Sequence, residues 1–133
     1  CTVRAASPAQ WAKAAIAAME QFGADRLVAE INQGGDMVAE VIRQVDPLVP
    51  FRGVHATKGK AARAEPVAAL YEQGRVHHVG AGLDALEDQM CLMTARGFDG
   101  RGSPDRVDAL VWALHDLIIE PAARWRRPRV RPL

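Results

Sequence analysis

Cysteine is scarce in this sequence, which contains only Cys1 and Cys91 among its 133 residues. This excludes a disulfide-rich scaffold, and because the two form no metal or redox motif we expect reduced thiols in a cytoplasmic protein. No uncharged apolar run approaches the roughly 20 residues of a membrane helix, and no basic segment followed by an apolar run marks a signal peptide. With 49% hydrophobic and 25% charged residues, the composition excludes intrinsic disorder.

Lysine is also scarce, with three residues against 14 arginines, and the charge is unevenly distributed. Residues 1–120 carry 12 basic and 16 acidic side chains, whereas residues 121–133 carry five arginines and no acid. We therefore expect one mildly acidic domain over residues 1–120, as the length favours, and a basic tail over residues 121–133. Because residues 1–4 look like the end of a strand, we also expect the chain to be a fragment.

Helix and strand signals alternate along the sequence. Ser7-Pro8-Ala9-Gln10 predicts a capped helix, which Gly23 would end. The remaining patterns predict strands over 26–31, 49–55 and 75–79, and helices over 36–45, 61–72, 83–95 and from 103 to about 118. This alternation predicts an α/β domain with a largely parallel sheet.

Glu30 is the most informative acidic residue. It closes the predicted strand 26–31, immediately before a turn that contains Gly34 and Gly35. In open α/β sheets, ligands bind beyond the carboxyl ends of the strands, and a buried carboxylate is costly unless it is paired or bound to metal. Two interpretations stay open: a metal ligand, or a glutamate that caps the next helix or pairs with an arginine.

Asp105 and Asp108 lie in the first turn of the last predicted helix. The helix dipole alone explains Asp105. Asp108 borders the apolar stripe of Val107 and Val111, so we expect its carboxylate to face the protein body. Because Mg²⁺ prefers carboxylate oxygens, we predict that Asp108 and Glu30 converge on a shared divalent cation.

Basic residues form two groups that could contact nucleic acid. One is a loop that opens a helix, where cations and free backbone N–H groups can hold a phosphate. The other is the arginine tail, where arginines beside Trp125 suit contact with a phosphate backbone. Ordinary solvated surface charge and a solubilising tail are the alternatives. The candidate residues are Lys58, Lys60, Arg63, Arg124, Arg126 and Arg127.

Four stretches of the sequence, taken in order and spacing, carry a family resemblance. They are residues 27–38, residues 58–67 together with 70–76, residues 86–90 and residues 103–114. Together they resemble the C-terminal nuclease domain of the large terminase subunit of tailed phages and related gene-transfer particles. The resemblance covers roughly residues 2–119.

This resemblance implies an incomplete ribonuclease H-like α/β fold with a mixed or parallel sheet flanked by helices. It further implies an endonuclease that cuts double-stranded DNA during viral genome packaging, with one or two Mg²⁺ or Mn²⁺ ions held by three acids. Glu30 and Asp108 match two of these acids, and the third would precede Cys1. Implied partners are DNA, the portal and the small terminase subunit, in the bacterial cytoplasm and with no membrane.

Two other functions are also compatible with the sequence. A non-catalytic DNA-binding or packaging-interaction module would bind DNA without divalent metal. An α/β scaffold of an unrelated enzyme would bind neither DNA nor metal at Glu30 and Asp108.

Overall fold

The computed structural model describes residues 6–31 and 36–121, and the chain divides into two compact units between Thr57 and Lys58. Residues 1–5, 32–35 and 122–133 lie outside the described part of the chain. The predicted tail arginines Arg124, Arg126 and Arg127 therefore remain a prediction from sequence.

The first unit combines two helices with a pair of parallel strands. Its elements are α1 (Pro8–Phe22), β1 (Leu27–Glu30), α2 (Asp36–Val45) and β2 (Phe51–Val54). The strands pair in parallel with Leu27 opposite Phe51 and Glu30 opposite Val54. The ladder extends beyond Glu30, because the Ile31 N–H donates to the Val54 carbonyl at 2.8 Å.

The predicted cap of α1 is confirmed in both directions. The Ser7 side chain accepts from the Gln10 N–H at 3.4 Å, and the Gln10 side chain accepts from the Ser7 N–H at 2.8 Å. Gly23 ends the helix in the left-handed region, at φ 59°. Such reciprocal bonds satisfy N–H groups that a helix start leaves without partners.

Helices α1 and α2 and the strands share an apolar core built on Ala12, Ile16 and Ile42. The apolar spacing of residues 36–45 predicts that Met37 faces this core, but Met37 is 69% exposed, so that prediction is wrong. The reason is the stripe that α2 buries. Val38, Val41, Ile42 and Val45 recur at helical spacing and pack inward, which leaves Met37 outside the stripe.

The second unit is mostly helical. Its elements are α3 (Lys60–Glu72), α4 (Asp84–Cys91), the two-residue strands β3 (Met93–Thr94) and β4 (Gly97–Phe98), α5 (Asp105–Leu114) and a π-helical turn (His115–Ile119). The strands β3 and β4 form an antiparallel hairpin. The core of this unit consists of Val67 from α3 and Val107, Val111 and Leu114 from α5.

Two predicted elements differ in the structure. Residues 75–79 are not a strand: the chain leaves α3 through Gly74 at φ 63°, and the Arg75 N–H donates back to the Leu70 carbonyl at 2.9 Å. The helix predicted over 83–95 ends at Cys91 and gives way to the hairpin. Two-residue strands carry too little alternation to be recognised from sequence.

The described residues therefore form a mixed α/β structure, with one parallel and one antiparallel pair of strands. Within residues 6–31 and 36–121, no helix has the length and apolarity that crossing a membrane requires. Cys91 is an exposed free thiol.

Candidate metal and phosphate site

Asp108 is positioned by the first turn of α5. Its N–H donates to the carbonyl of Pro104 at 2.9 Å, while Val107 and Val111 anchor the adjacent face of the helix in the core. The Asp108 side chain is consequently only 16% exposed. As the sequence predicted, this carboxylate lies against the body of its unit.

Arg63 of α3 is the closest partner of that carboxylate. Its Nη2 lies 2.7 Å from Asp108 Oδ1, and its Nη1 donates to the Lys58 carbonyl at 2.8 Å. Its guanidinium carbon lies 4.8 Å from the centre of the Trp112 ring, a cation–π arrangement. The Arg63 side chain is only 7% exposed, so the pair with Asp108 satisfies two charges that would be costly to bury singly.

His115, in the π-helical turn, supports Arg63 from its backbone side. The His115 Nε2 lies 2.9 Å from the Arg63 carbonyl oxygen, and since a carbonyl only accepts, this ring nitrogen carries the proton. The ring also lies beside Trp112, with 6.1 Å between ring centres. The helical spacing of His115 from Asp108 favours contact between these two residues, whereas the structure places the His115 ring on the backbone of Arg63, the partner of Asp108.

Lys60 approaches the other carboxylate oxygen of Asp108. Its Nζ lies 3.2 Å from Asp108 Oδ2 and donates to the Ser103 Oγ at 2.9 Å. Asp105 Oδ1 is 3.9 Å from the same nitrogen. The Lys60 side chain is 41% exposed, so this ion pair is open to solvent and to salt, unlike the pair that Arg63 makes.

Glu30 lies in the first unit, at the carboxyl end of β1 as predicted, and is half-buried. Its backbone position is set by the parallel register with Val54. Asp108 belongs to the second unit. The convergence of the two acids on one cation therefore stays a prediction.

The basic residues predicted to contact phosphate differ in their surroundings. Lys58 is exposed in the loop before α3, and Lys60 is partly exposed beside Asp108. Arg63 is buried, with its guanidinium directed at Asp108 and the Lys58 carbonyl. A phosphate role thus suits the two lysines better than Arg63, whose contacts are those of an anchor for Asp108.

Comparison with known families shows the family to which the chain belongs. The family model described as a terminase RNaseH-like domain matches residues 2–117. The chain belongs to this family. The resemblance drawn from the four sequence stretches and the ribonuclease H-like α/β fold are thereby confirmed. No curated protein and no solved structure matches the chain.

The residues of this terminase RNaseH-like domain fit a divalent cation at Asp108. Carboxylate oxygens are the ligands that Mg²⁺ and Mn²⁺ favour, and the Lys60 ammonium beside Oδ2 shows that this position accommodates positive charge. Among the described residues, no three His, Cys, Asp or Glu side chains cluster as a complete metal cage.

The terminase RNaseH-like domain also contains a polar chain that sequence reasoning missed. His78 Nδ1 lies 2.7 Å from Glu87 Oε1, and His78 Nε2 lies 2.8 Å from the Tyr71 hydroxyl. Burial, followed by the charge of Glu87, raises the pKa of Tyr71 above its usual value of 10.0. The spacing of these residues in the sequence did not predict their hydrogen bonds, because His78 lies in the irregular segment where a strand was expected.

Proposed function

We propose that this chain is the metal-dependent endonuclease module of a large terminase subunit, cutting double-stranded DNA during phage or prophage genome packaging. The observation that carries the proposal is Asp108, a largely buried carboxylate held in one orientation at the start of α5. It lies in a chain of the terminase RNaseH-like family. Family membership supports a nuclease-type module, and the donor chemistry supports divalent-metal catalysis.

In this proposal Glu30 and Asp108 hold one or two Mg²⁺ or Mn²⁺ ions. When bound, such ions supply activation of a water nucleophile and charge stabilisation at the leaving oxygen of the phosphodiester. Arg63 keeps the Asp108 carboxylate oriented through its 2.7 Å contact. A fixed carboxylate lowers the reorganisation that metal binding would otherwise require.

DNA is held by positive charge at the surface. Lys58 is exposed in the loop before α3, Lys60 is partly exposed at its first position, and both would contact backbone phosphates. Arg124, Arg126 and Arg127 of the tail would add sequence-independent affinity that weakens with salt. The packaging partners in this proposal are the portal and the small terminase subunit, in the cytoplasm of the infected or lysogenic cell.

The test is cleavage of a supercoiled plasmid by the terminase that contains this chain, with Mg²⁺ or Mn²⁺ supplied. Glu30→Gln and Asp108→Asn should each lower the cleavage rate by at least about 100-fold, because each removes a metal ligand. Asp84→Asn is the matched control, since Asp84 is an exposed acid in the first turn of α4. Wild-type cutting by either ligand variant would contradict the proposal.

The alternative function is a DNA-binding or packaging-interaction module without catalysis. The engagement of both Asp108 oxygens by cationic side chains favours it, since such a carboxylate is already neutralised. Gel-shift titrations with Mg²⁺ and with a chelator separate the two functions. Tight DNA binding in chelator, together with no plasmid cutting in Mg²⁺ or Mn²⁺, would establish the alternative.

A further inference from the structure

The two cations that hold Asp108 are bound to their surroundings very differently. Arg63 is buried and also contacts the Lys58 carbonyl, the Trp112 ring and, through its own carbonyl, His115. Lys60 is 41% exposed and reaches Asp108 Oδ2 with a flexible aliphatic stem. Exposed ion pairs of this kind contribute little to stability and exchange readily.

We propose that Lys60 is an exchangeable counter-ion of Asp108: its ammonium occupies Oδ2 in the absence of metal and leaves that oxygen when a divalent cation binds. Arg63 stays on Oδ1 throughout. The inference rests on the proposed function, because it presupposes that Asp108 is a metal ligand. It assigns Lys60 a role that follows neither from the family match nor from the identification of Glu30 and Asp108 as metal ligands.

The Lys60 ammonium has other polar partners nearby when it leaves Asp108. Its Nζ already donates to the Ser103 hydroxyl at 2.9 Å and lies 3.9 Å from the exposed Asp105 carboxylate. A small rotation of the stem therefore transfers the ammonium to Asp105 without leaving it unsolvated. Asp108, by contrast, is too buried to be left without a cation at low cost.

The position of Lys60 in its helix also makes its ammonium easier to displace from Asp108. Lys60 is the first residue of α3, whose N-cap Gly59 makes no side-chain hydrogen bond to the helix. The helix dipole disfavours a cation at this end. Lys60 is therefore retained by Asp108, Ser103 and Asp105, and a more highly charged cation competes with it effectively for Oδ2.

The experiment measures Mn²⁺ affinity by titration calorimetry on the 133-residue chain, with the Mn²⁺-induced rise in melting temperature as a second readout. Lys60→Met keeps the aliphatic stem and removes the competing charge, so Mn²⁺ should bind about tenfold tighter, as expected for loss of a like charge a few ångströms away. Lys60→Arg keeps the charge and should bind Mn²⁺ like the wild type. Lys58→Met removes the same charge from the neighbouring loop and serves as the control.

The outcomes separate this inference from the proposed function. Tighter binding in Lys60→Met alone, abolished when Asp108→Asn is added, supports the exchange. Equal affinities in Lys60→Met and Lys58→Met, or weaker binding in Lys60→Met, overturn the exchange while leaving the metal site intact. Absence of saturable Mn²⁺ binding in the wild type overturns the metal site, and the exchange with it.

Discussion

Glu30 and Asp108, the two acids proposed as metal ligands, are placed by different physical means. Glu30 ends a strand whose position is set by backbone pairing with β2, above a core of apolar side chains. Asp108 lies in the first turn of a helix, and its carboxylate is held by the side chains of Arg63 and Lys60. The first arrangement depends on packing and register, whereas the second depends on charge, so different substitutions should disturb each.

The largest expected effect on stability comes from a substitution that disrupts the packing supporting Glu30. Ile42 is 2% exposed at the centre of the first unit's core, and Ile42→Ala should lower the free energy of unfolding by about 3–4 kcal/mol through lost burial and a cavity. Urea denaturation measures the loss, and amide exchange should rise in α1 and β1. Ile42→Val, which removes one methylene, should cost about 1 kcal/mol. Equal stabilities of the two variants would contradict this account of the core.

The next effect breaks the charge arrangement around Asp108. Arg63→Met removes a buried cation and leaves Asp108 with Lys60 as its remaining cationic partner at the site, so it should lower stability by about 3 kcal/mol. A double-mutant cycle with Asp108→Asn measures how much of this loss is due to the pair. The double variant should be more stable than the sum of the single losses predicts, by about 1–3 kcal/mol. Strict additivity would show that the loss of stability in Arg63→Met does not arise from its pair with Asp108.

A smaller effect tests the register that places Glu30. Gly53 lies opposite Ala29 in the strand pair, and a Cβ there would clash with Cδ1 of Ile31, the residue after Glu30, and lie 3.1 Å from its Cγ1. Gly53→Ala should therefore cost about 1–2 kcal/mol through overpacking, because the Ile31 side chain must shift. Gly59→Ala is the control, since a Cβ at Gly59 meets nothing within 4 Å. Equal melting temperatures of the two variants would contradict the close approach at Gly53.

The smallest effect concerns the alkaline pH dependence of the second unit. Because burial raises the pKa of Tyr71, its neutral phenol favours the folded state, and this contribution is intact below pH 10 and lost as the pH rises above it. Above pH 10 the wild type should therefore lose stability more steeply than Tyr71→Phe. Tyr71 is the only tyrosine of the chain, so phenolate absorbance titrates it directly. A midpoint at or below 10 in the folded protein would refute the assignment.

Much of the fold could be predicted from the sequence because its signals are local. The capping residues Ser7 and Gln10 lie three positions apart, and the apolar residues of α2 recur every three or four positions. Both features therefore depend on residues that are close in the sequence. The strand that carries Glu30 is bounded by turn residues on both sides. The hairpin of β3 and β4 was missed because it offers two residues per strand, and the strand predicted over 75–79 was wrong because its ladder partner does not exist within the described residues.

The sequence by itself determined the capped start and the end of α1, the apolar stripe of α2 and which acids resemble those of the family. Only the tertiary structure decided what holds Asp108, because Arg63 lies 45 residues earlier in the chain and meets it through the packing of α3 against α5. The spacing of residues along one helix cannot predict a pair between two helices. The physical reason is that a buried carboxylate is stabilised by whichever cation the fold brings within hydrogen-bond distance, and that distance is a property of packing between elements.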